Sequence, residues 1–186
     1  MQNKILYIGA FVFYCCFSMG CRNANKDTSA KSAPSIVAAA KTNPSKTIAE
    51  NIMTDSSHLI LAKALDSTDL METLNKPGPF TVFAPTDDAF RKLPDGVLES
   101  LMGKRRPDLI NILSYHIVAG SLKVDDLKDG DKLKTLAGEE LTVTMRNDKI
   151  TINGTSVIEA DNESRNGIIH VIDGILFPRN QNPGVY

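Results

Sequence analysis

The sequence predicts an α+β domain in which helices come first and strands follow. In the first half, apolar residues such as Ile48 and Ile52 recur four positions apart, which places them on one face of a helix. In the second half, apolar and polar residues alternate, and the pairs Asn153-Gly154 and Asn166-Gly167 interrupt the runs. This second pattern is typical of strands joined by tight turns. Helices followed by strands favour the α+β class.

The first half of the domain predicts helices on both sides of one short strand. The apolar spacing in residues 47–75 makes one helical stripe, with cap residues at 54–57 and 66–68 before the second and third helix. The segment Lys-Pro-Gly-Pro at 76–79 ends the helical region. Residues 80–84 are β-prone, and Thr86 then caps a helix. Further helices are predicted over residues 93–102 and 109–113, with Pro107 in a first turn.

The second half predicts a series of strands joined by turns. The predicted strands cover residues 115–118, 141–145, 150–152, 157–158 and 168–172. Leu141, Val143 and Met145 alternate with polar residues, so they should share one buried face. Residues 175–177 are expected to close the domain before Pro178.

The N-terminus resembles a bacterial lipoprotein signal. Lys4 precedes an apolar run at residues 5–17, which is shorter than the roughly 20 residues of a membrane span and fits a secretory signal. The run ends in Ser18-Met19-Gly20-Cys21, which is similar to a lipobox although Ser18 replaces the usual leucine. The resemblance implies a signal peptide at residues 1–20 and acylation of Cys21. The alternatives are ordinary cleavage or an uncleaved anchor.

Residues 21–45 are predicted to form the lipidated cysteine and a flexible tether. This segment is rich in Ala, Ser, Asn, Thr and Lys, a composition that buries too little apolar surface to fold. It carries a net charge of +3, whereas the residues after 45 carry −5. The positive charge fits a segment lying along an anionic membrane, although a plain soluble spacer fits equally well. Cleavage before Cys21 would leave one cysteine and therefore no internal disulfide.

The residues give little sign of catalytic or metal chemistry. None of His58, His116 and His170 has a second ligand at metal-binding spacing. Residues 125–131 are acidic, but a calcium loop would need oxygen ligands where Leu127 and Leu136 stand. Phosphate loops and nucleophile motifs are also absent, so the sequence predicts a protein that is not an enzyme and holds no cofactor. The net charge of −1 argues against nucleic-acid binding.

Two histidines are expected to belong to the core. His116 is expected inside the strand at residues 115–118, and His170 lies in a fully apolar run. We expect either ring to bond a buried polar group, with Asp87 and Asp173 as candidates. The sequons that begin at Asn153 and Asn162 are interpreted as turns.

Two long motifs resemble the signature boxes of the fasciclin (FAS1) family. They are GPFTVFAPTDDAF at residues 78–90 and NGIIHVIDGILFP at residues 166–178. Between them, LSYHIVAG at 113–120 is similar to the family's tyrosine–histidine segment, and LAGE at 136–139 is similar to its hairpin entry. The resemblance implies one domain over residues 46–178, with a helical first half packed on a β-sandwich-like wedge. Residues 179–186 are left as a short tail.

The resemblance carries a set of signature residues onto this chain. They are Phe80, Thr81, Phe83, Ala84, Pro85, Thr86, Asp87, Phe90, Asn166, Gly167, His170 and Asp173. Tyr115 and His116 form the segment that is linked to integrin binding in animal members. The acidic motif that accompanies it in those members is replaced here by DNESR at 161–165, so integrin binding is not expected.

The resemblance implies a membrane-tethered extracytoplasmic adhesion module that binds a protein or glycan partner. A small-molecule or lipid-binding accessory lipoprotein is the alternative, and an enzyme ranks third. An exposed apolar patch would favour the first function, whereas a closed apolar cavity would favour the second. Arg22 stands where an aspartate would signal retention in the inner membrane, so an outer-membrane location is expected in a Gram-negative cell. The partner and the oligomeric state stay open.

The lipobox resemblance predicts a diacylglyceryl thioether on Cys21 at the mature N-terminus. Mass spectrometry of the N-terminal peptide from membrane fractions should find this modification, and Cys21→Ser should abolish it. An unmodified N-terminus at any other residue would contradict the prediction.

Overall fold

A computed structural model of the chain describes residues 42–147 and 149–179. The predicted signal peptide, Cys21 and nearly all of the predicted tether lie outside the described residues. Six helices lie within the described part: α1 (Ile48–Thr54), α2 (Leu59–Asp66), α3 (Leu70–Asn75), α4 (Asp87–Arg91), α5 (Val97–Met102) and α6 (Arg106–Tyr115).

The described residues also form seven strands, so the α+β class is confirmed. The strands are β1 (Phe80–Pro85), β2 (Ile117–Ala119), β3 (Lys132–Lys134), β4 (Glu140–Arg146), β5 (Lys149–Ile152), β6 (Thr155–Ser164) and β7 (Gly167–Ile172). A short 3₁₀ helix, Val124–Asp126, lies between β2 and β3.

The seven strands form one mixed sheet in the order β2-β1-β7-β6-β5-β4-β3. The pair β1–β7 is parallel, and its register runs from Phe80 opposite Gly167 to Pro85 opposite Ile172. The two end strands also meet, because Val118 of β2 bridges Thr135 and the Leu136 amide donates to the Ile117 carbonyl at 2.8 Å. The sheet therefore curls into a barrel-like wedge, which limits the exposed edges.

Strand β1 separates two hydrophobic cores. Val82 and Ala84 pack in the cluster that contains the helices, whereas Phe83 packs among strand residues inside the curled sheet. This division follows from the alternation of side chains along a strand. The helical first half is thus packed on the wedge, as the family resemblance implied.

Several helix boundaries differ from the sequence predictions. The N-caps of α2 and α3 are His58 and Asp69, and neither side chain makes a capping bond. The amide of Ile60 in the first turn of α2 instead donates to the Asp87 carboxylate at 2.8 Å. The helix predicted over residues 93–102 begins only at Val97, because Gly96 has a φ of 79° that does not continue a right-handed helix.

The strand prediction was wrong at two places. Residues 115 and 116 were expected in a strand, but α6 extends to Tyr115 and His116 is its C-cap, with its amide bonded to the Leu113 and Ser114 carbonyls. A short apolar run cannot by itself distinguish a helix end from a strand. Asn162 was interpreted as a turn residue, but it is buried within the ten-residue strand β6.

Gly167 is required where β7 starts beside β1. Its φ is 154°, and a Cβ placed on it would lie 1.9 Å from the Phe80 carbonyl oxygen. Gly130 provides a comparison, because its φ is also positive, at 85°, but a Cβ there would meet nothing within 4 Å. Of these two glycines, only Gly167 is required both for its backbone conformation and because a side chain would not fit.

We predict that Gly167→Ala destabilises the protein far more than Gly130→Ala does. The Gly130 change should cost about 1–2 kcal/mol from backbone strain alone. The Gly167 change should cost about 4 kcal/mol or more, since the Phe80 carbonyl must move as well. Urea unfolding of both variants measures the difference, and equal losses would show that the β1–β7 contact relaxes easily.

Candidate functional site

The side chain of Asn166 joins two helices to the start of β7. Its Oδ1 accepts a hydrogen bond from the Ile48 amide at the beginning of α1, at 2.9 Å. Its Nδ2 donates to the Leu74 carbonyl at 2.7 Å and to the Lys76 carbonyl at 2.9 Å, at the end of α3. One buried amide therefore satisfies backbone groups that helix ends leave without intrahelical partners.

An open cleft of about 910 Å³ lies above this junction. The N-terminal ends of the parallel strands β1 and β7 meet there with the end of α3, the end of β6 and the loop after β2. The cleft is lined by Pro44, Thr47, Asn75, Lys76, Pro77, Gly78, Pro79, Ser121, Lys123, Glu163, Ser164, Arg165, Asn166, Gly167 and Ile168. Both family boxes thus contribute to one surface, because the parallel pair brings their beginnings together.

The cleft contains three cationic side chains and one carboxylate. Lys123 and Glu163 form an ion pair across it at 2.7 Å, which raises the pKa of Lys123 and lowers the pKa of Glu163. Lys76 lies 3.4 Å from Glu72 one helical turn away. Arg165 is exposed, and its charge adds to the larger effect of the Thr47 hydrogen bonds in lowering the pKa of the exposed Glu50.

The signature residues themselves are buried or half-buried, so most of them build the scaffold. The Thr81 hydroxyl donates to the Gly120 carbonyl at 2.7 Å and accepts from the Leu122 amide at 2.9 Å. His170 Nε2 bonds the Leu122 carbonyl at 2.8 Å. These bonds hold the segment after β2, which carries Ser121 and Lys123 into the cleft.

His170 is held as a neutral ring. Its Nδ1 accepts from the Asp161 amide at 3.2 Å, so the proton lies on Nε2, which donates to the Leu122 carbonyl. Burial lowers the pKa of His170, against an opposing effect of that hydrogen bond. The ring also stacks on Phe83, with centroids 5.5 Å apart. The prediction that His170 bonds the carboxylate of Asp87 or Asp173 is therefore wrong.

The Tyr115-His116 segment lies in the core rather than on a binding surface, since both residues are 2% exposed. His116 Nδ1 donates to the Ile112 carbonyl at 2.7 Å, and its Nε2 accepts from the Leu176 amide at 3.0 Å. The carboxylate partners proposed from sequence are therefore wrong here too. The Tyr115 hydroxyl donates to the Glu140 carbonyl and accepts from Asn153 at 2.8 Å.

The remaining polar signature residues also make local structural bonds. Thr86 caps α4 by accepting from the Ala89 amide. Asp173 accepts from the Ser156 amide at 3.0 Å and so connects the end of β7 to β6. Ordinary backbone geometry explains these positions without a ligand.

Sequence reasoning missed most of the cleft. In the sequence, Lys76 and Pro77 serve only as signals that end a helix, Pro79 also belongs to the first family box, and Arg165 falls where an expected motif is missing. The residues lie in four separate stretches of the chain, so no local pattern joins them. The one sequence feature that could have indicated the cleft is that several of its residues lie within or next to the two family boxes.

The described residues show neither a metal cluster nor a bilayer-spanning helix. No group of three or more His, Cys, Asp or Glu side chains among them is arranged to hold a metal ion. Within the same residues, no helix is long and apolar enough to cross a bilayer.

The chain belongs to the fasciclin family. The family model described as "Fasciclin domain" matches residues 56–178. A relative from Synechocystis, Protein sll1483, is 41% identical over 156 residues, which cover 83% of this chain and 85% of that protein. The transforming growth factor-beta-induced protein ig-h3 of Sus scrofa is 37% identical over 142 residues, which cover 76% of this chain and only 21% of that protein.

A solved structure supports the fold. A FAS1 domain pair from the insect cell adhesion molecule fasciclin I matches with a TM-score of 0.66 and 22% identity, covering 74% of this chain and 52% of that one. A fasciclin domain pair thus occurs in a cell adhesion molecule, and the likeness shows the fold of this chain.

We predict that stability falls as the pH drops below 6.5, because His116 is buried neutral. Burial lowers the pKa of His116 to about 4, so the unfolded chain binds a proton first. The contribution of neutral His116 to the free energy of unfolding is complete above pH 6.5. It is lost between pH 6.5 and 4, by up to about 1.4 kcal/mol per pH unit. His170 contributes in the same direction.

Urea unfolding at pH 7, 6 and 5 tests this dependence in the parent and in His116→Gln. Glutamine keeps a donor and an acceptor but does not titrate in this range, so the variant should have the shallower slope. Identical slopes in the two proteins would refute the assignment to His116.

Proposed function

We propose that this protein is exported, anchored to the cell envelope through a lipid on Cys21, and acts as an adhesion or interaction module without catalytic activity. In a Gram-negative cell the outer membrane is the proposed location. The tether of residues 21–45 would hold the fasciclin domain away from the bilayer, and the domain would bind a protein or glycan partner through the cleft beside Asn166.

One observation carries this proposal: exposed residues line the cleft, whereas the family signature residues next to it are buried or half-buried. Pro44, Lys76, Pro77, Pro79 and Arg165 are all exposed. The scaffold beneath them is fixed by the Asn166 amide and by the parallel β1–β7 pair. A surface held in one conformation loses little entropy on binding, which favours affinity.

The cleft fits a macromolecular partner better than a small ligand. Small-molecule sites are usually enclosed and mostly apolar, whereas this cleft is open and exposes three cations. A second cavity beside His58 has a volume of only about 10 Å³, which is room for the centre of one water molecule and not for a lipid.

Site-specific photocrosslinking on intact cells tests the proposal. A photoreactive residue at Ser121, inside the cleft, should give a defined crosslinked product, and the same residue at exposed Lys128 should not. The double charge reversal Lys76→Glu/Arg165→Glu should lose the Ser121 product by at least about fivefold, because like charges at an interface disfavour association.

Two results would overturn the proposal. One is equal crosslinking from Ser121 and Lys128, which would indicate non-specific contact. The other is the absence of any product at Ser121 together with a co-purified small molecule in native mass spectrometry, which would favour an accessory protein that carries a ligand.

A further inference from the structure

We propose that the partner of the cleft is an acidic polypeptide segment, and that Glu163 occupies the position of a partner carboxylate in the free protein. This inference rests on the proposed function, because it names the chemistry recognised by the same surface. It is argued from the lining of the cleft, from its charges and from the hydrogen bonds that hold Glu163 in place.

The floor of the cleft suits an extended polypeptide. Three exposed proline rings, those of Pro44, Pro77 and Pro79, line it beside the buried Ile168. Proline residues have no amide N–H, so this part of the floor offers apolar contact without donors. Asn75, Ser121 and Ser164 also line the cleft. Asn75 Oδ1 accepts from Thr47 and Ser164 Oγ accepts from Asn51, so the Asn75 amide and the two serine hydroxyls would act as donors to a peptide backbone.

The same lining argues against a sugar chain. Among the described residues that line the cleft, none has an aromatic side chain. Sugar rings commonly pack their apolar faces on aromatic side chains, which offer large flat surfaces. Proline rings and lysine stems give much smaller areas.

The charges select an acidic segment. The residues that line the cleft include the cations Lys76, Lys123 and Arg165 and the carboxylate of Glu163. Two more carboxylates lie beside these cations, Glu72 at 3.4 Å from Lys76 and Glu50 near Arg165, and both are exposed. The lining itself is therefore more positive than negative. The carboxylates that offset its charge are exposed side chains in weak pairs, so an acidic partner can displace them at this surface.

Glu163 competes with such a partner inside the protein. Its carboxylate lies 2.7 Å from Lys123 Nζ, and both side chains are about half exposed. Its main chain is paired with Ile168 in the β6–β7 register, so the side chain can move while the backbone stays in the sheet. A partner carboxylate can replace Glu163 at Lys123 with little net cost, because exposed ion pairs are weak, while Arg165 gains a new ion pair.

Two substitutions of opposite expected effect test the inference. The full chain in detergent is titrated into fluorescently labelled poly-L-glutamate, and binding is followed by fluorescence polarisation. Arg165→Ala should weaken binding about threefold or more, since a pairing cation is lost. Glu163→Gln should strengthen binding about twofold or more, since the competing carboxylate is neutralised.

Matched controls lie outside the cleft. Arg146→Ala removes an exposed cation from the end of β4, and Glu140→Gln neutralises a carboxylate that lies 3.6 Å from Lys132; neither should change the affinity. Raising NaCl from about 50 to about 300 mM should weaken binding to the parent strongly, because salt screens exposed charges.

The inference is overturned if poly-L-glutamate does not bind, if Glu163→Gln leaves the affinity unchanged, or if the controls change it as much as the cleft variants do. Tighter binding of a sulfated oligosaccharide with the same residue dependence would also overturn it, in favour of an anionic glycan. A Ser121 crosslink to a cell-surface partner without poly-L-glutamate binding would leave the proposed function standing and reject only the acidic segment.

Discussion

The buried amide of Asn166 is the interaction on which the remaining architecture depends. It bonds the first amide of α1 and two carbonyls at the end of α3. The backbone carbonyl of Asn166 accepts from the Phe80 amide at the start of β1. Each such bond contributes about 1 kcal/mol, and leaving one of these buried groups unpaired costs about 1–3 kcal/mol. The position of the helical layer on the sheet is therefore set at the residue that directly precedes β7.

This junction explains why the parallel pair β1–β7 can form at all. Gly167 allows the two backbones to approach where a side chain would collide with Phe80, and the register that follows is continuous over six residue pairs. Strand β1 then divides its side chains between the helical core and the interior of the curled sheet. The cleft lies where β1 and β7 begin. Its shape therefore depends on the buried residues beneath it, such as Asn166.

Two neutral histidines also bond backbone groups of distant segments, as Asn166 does. His170 holds the segment after β2 through Leu122, and His116 holds the final segment through Leu176. Both rings serve as donor and acceptor at once, which only the neutral form can do. In this chain the tyrosine–histidine segment is therefore part of the framework, and its buried side chains are out of reach of a partner.

The sequence by itself determined the fold class, the family and most of the elements. Periodicity separates the helical half from the strand half, and the two long boxes around Phe83 and His170 identify the family. Local patterns were insufficient at residues 115–116 and at Asn162, where tertiary hydrogen bonds and burial override short-range preference.

Only the tertiary structure decided the partners of the histidines, the cap of α2 by Asp87, and the cleft itself. Each of these joins residues that are far apart along the chain: Ile60 with Asp87, His116 with Leu176, and Lys76 with Lys123 and Arg165. Sequence periodicity reports which face of an element is buried, but it carries no information on which distant backbone group lies opposite. That pairing is set by the β1–β7 register and by how the sheet curls, so the site became visible only in the folded chain.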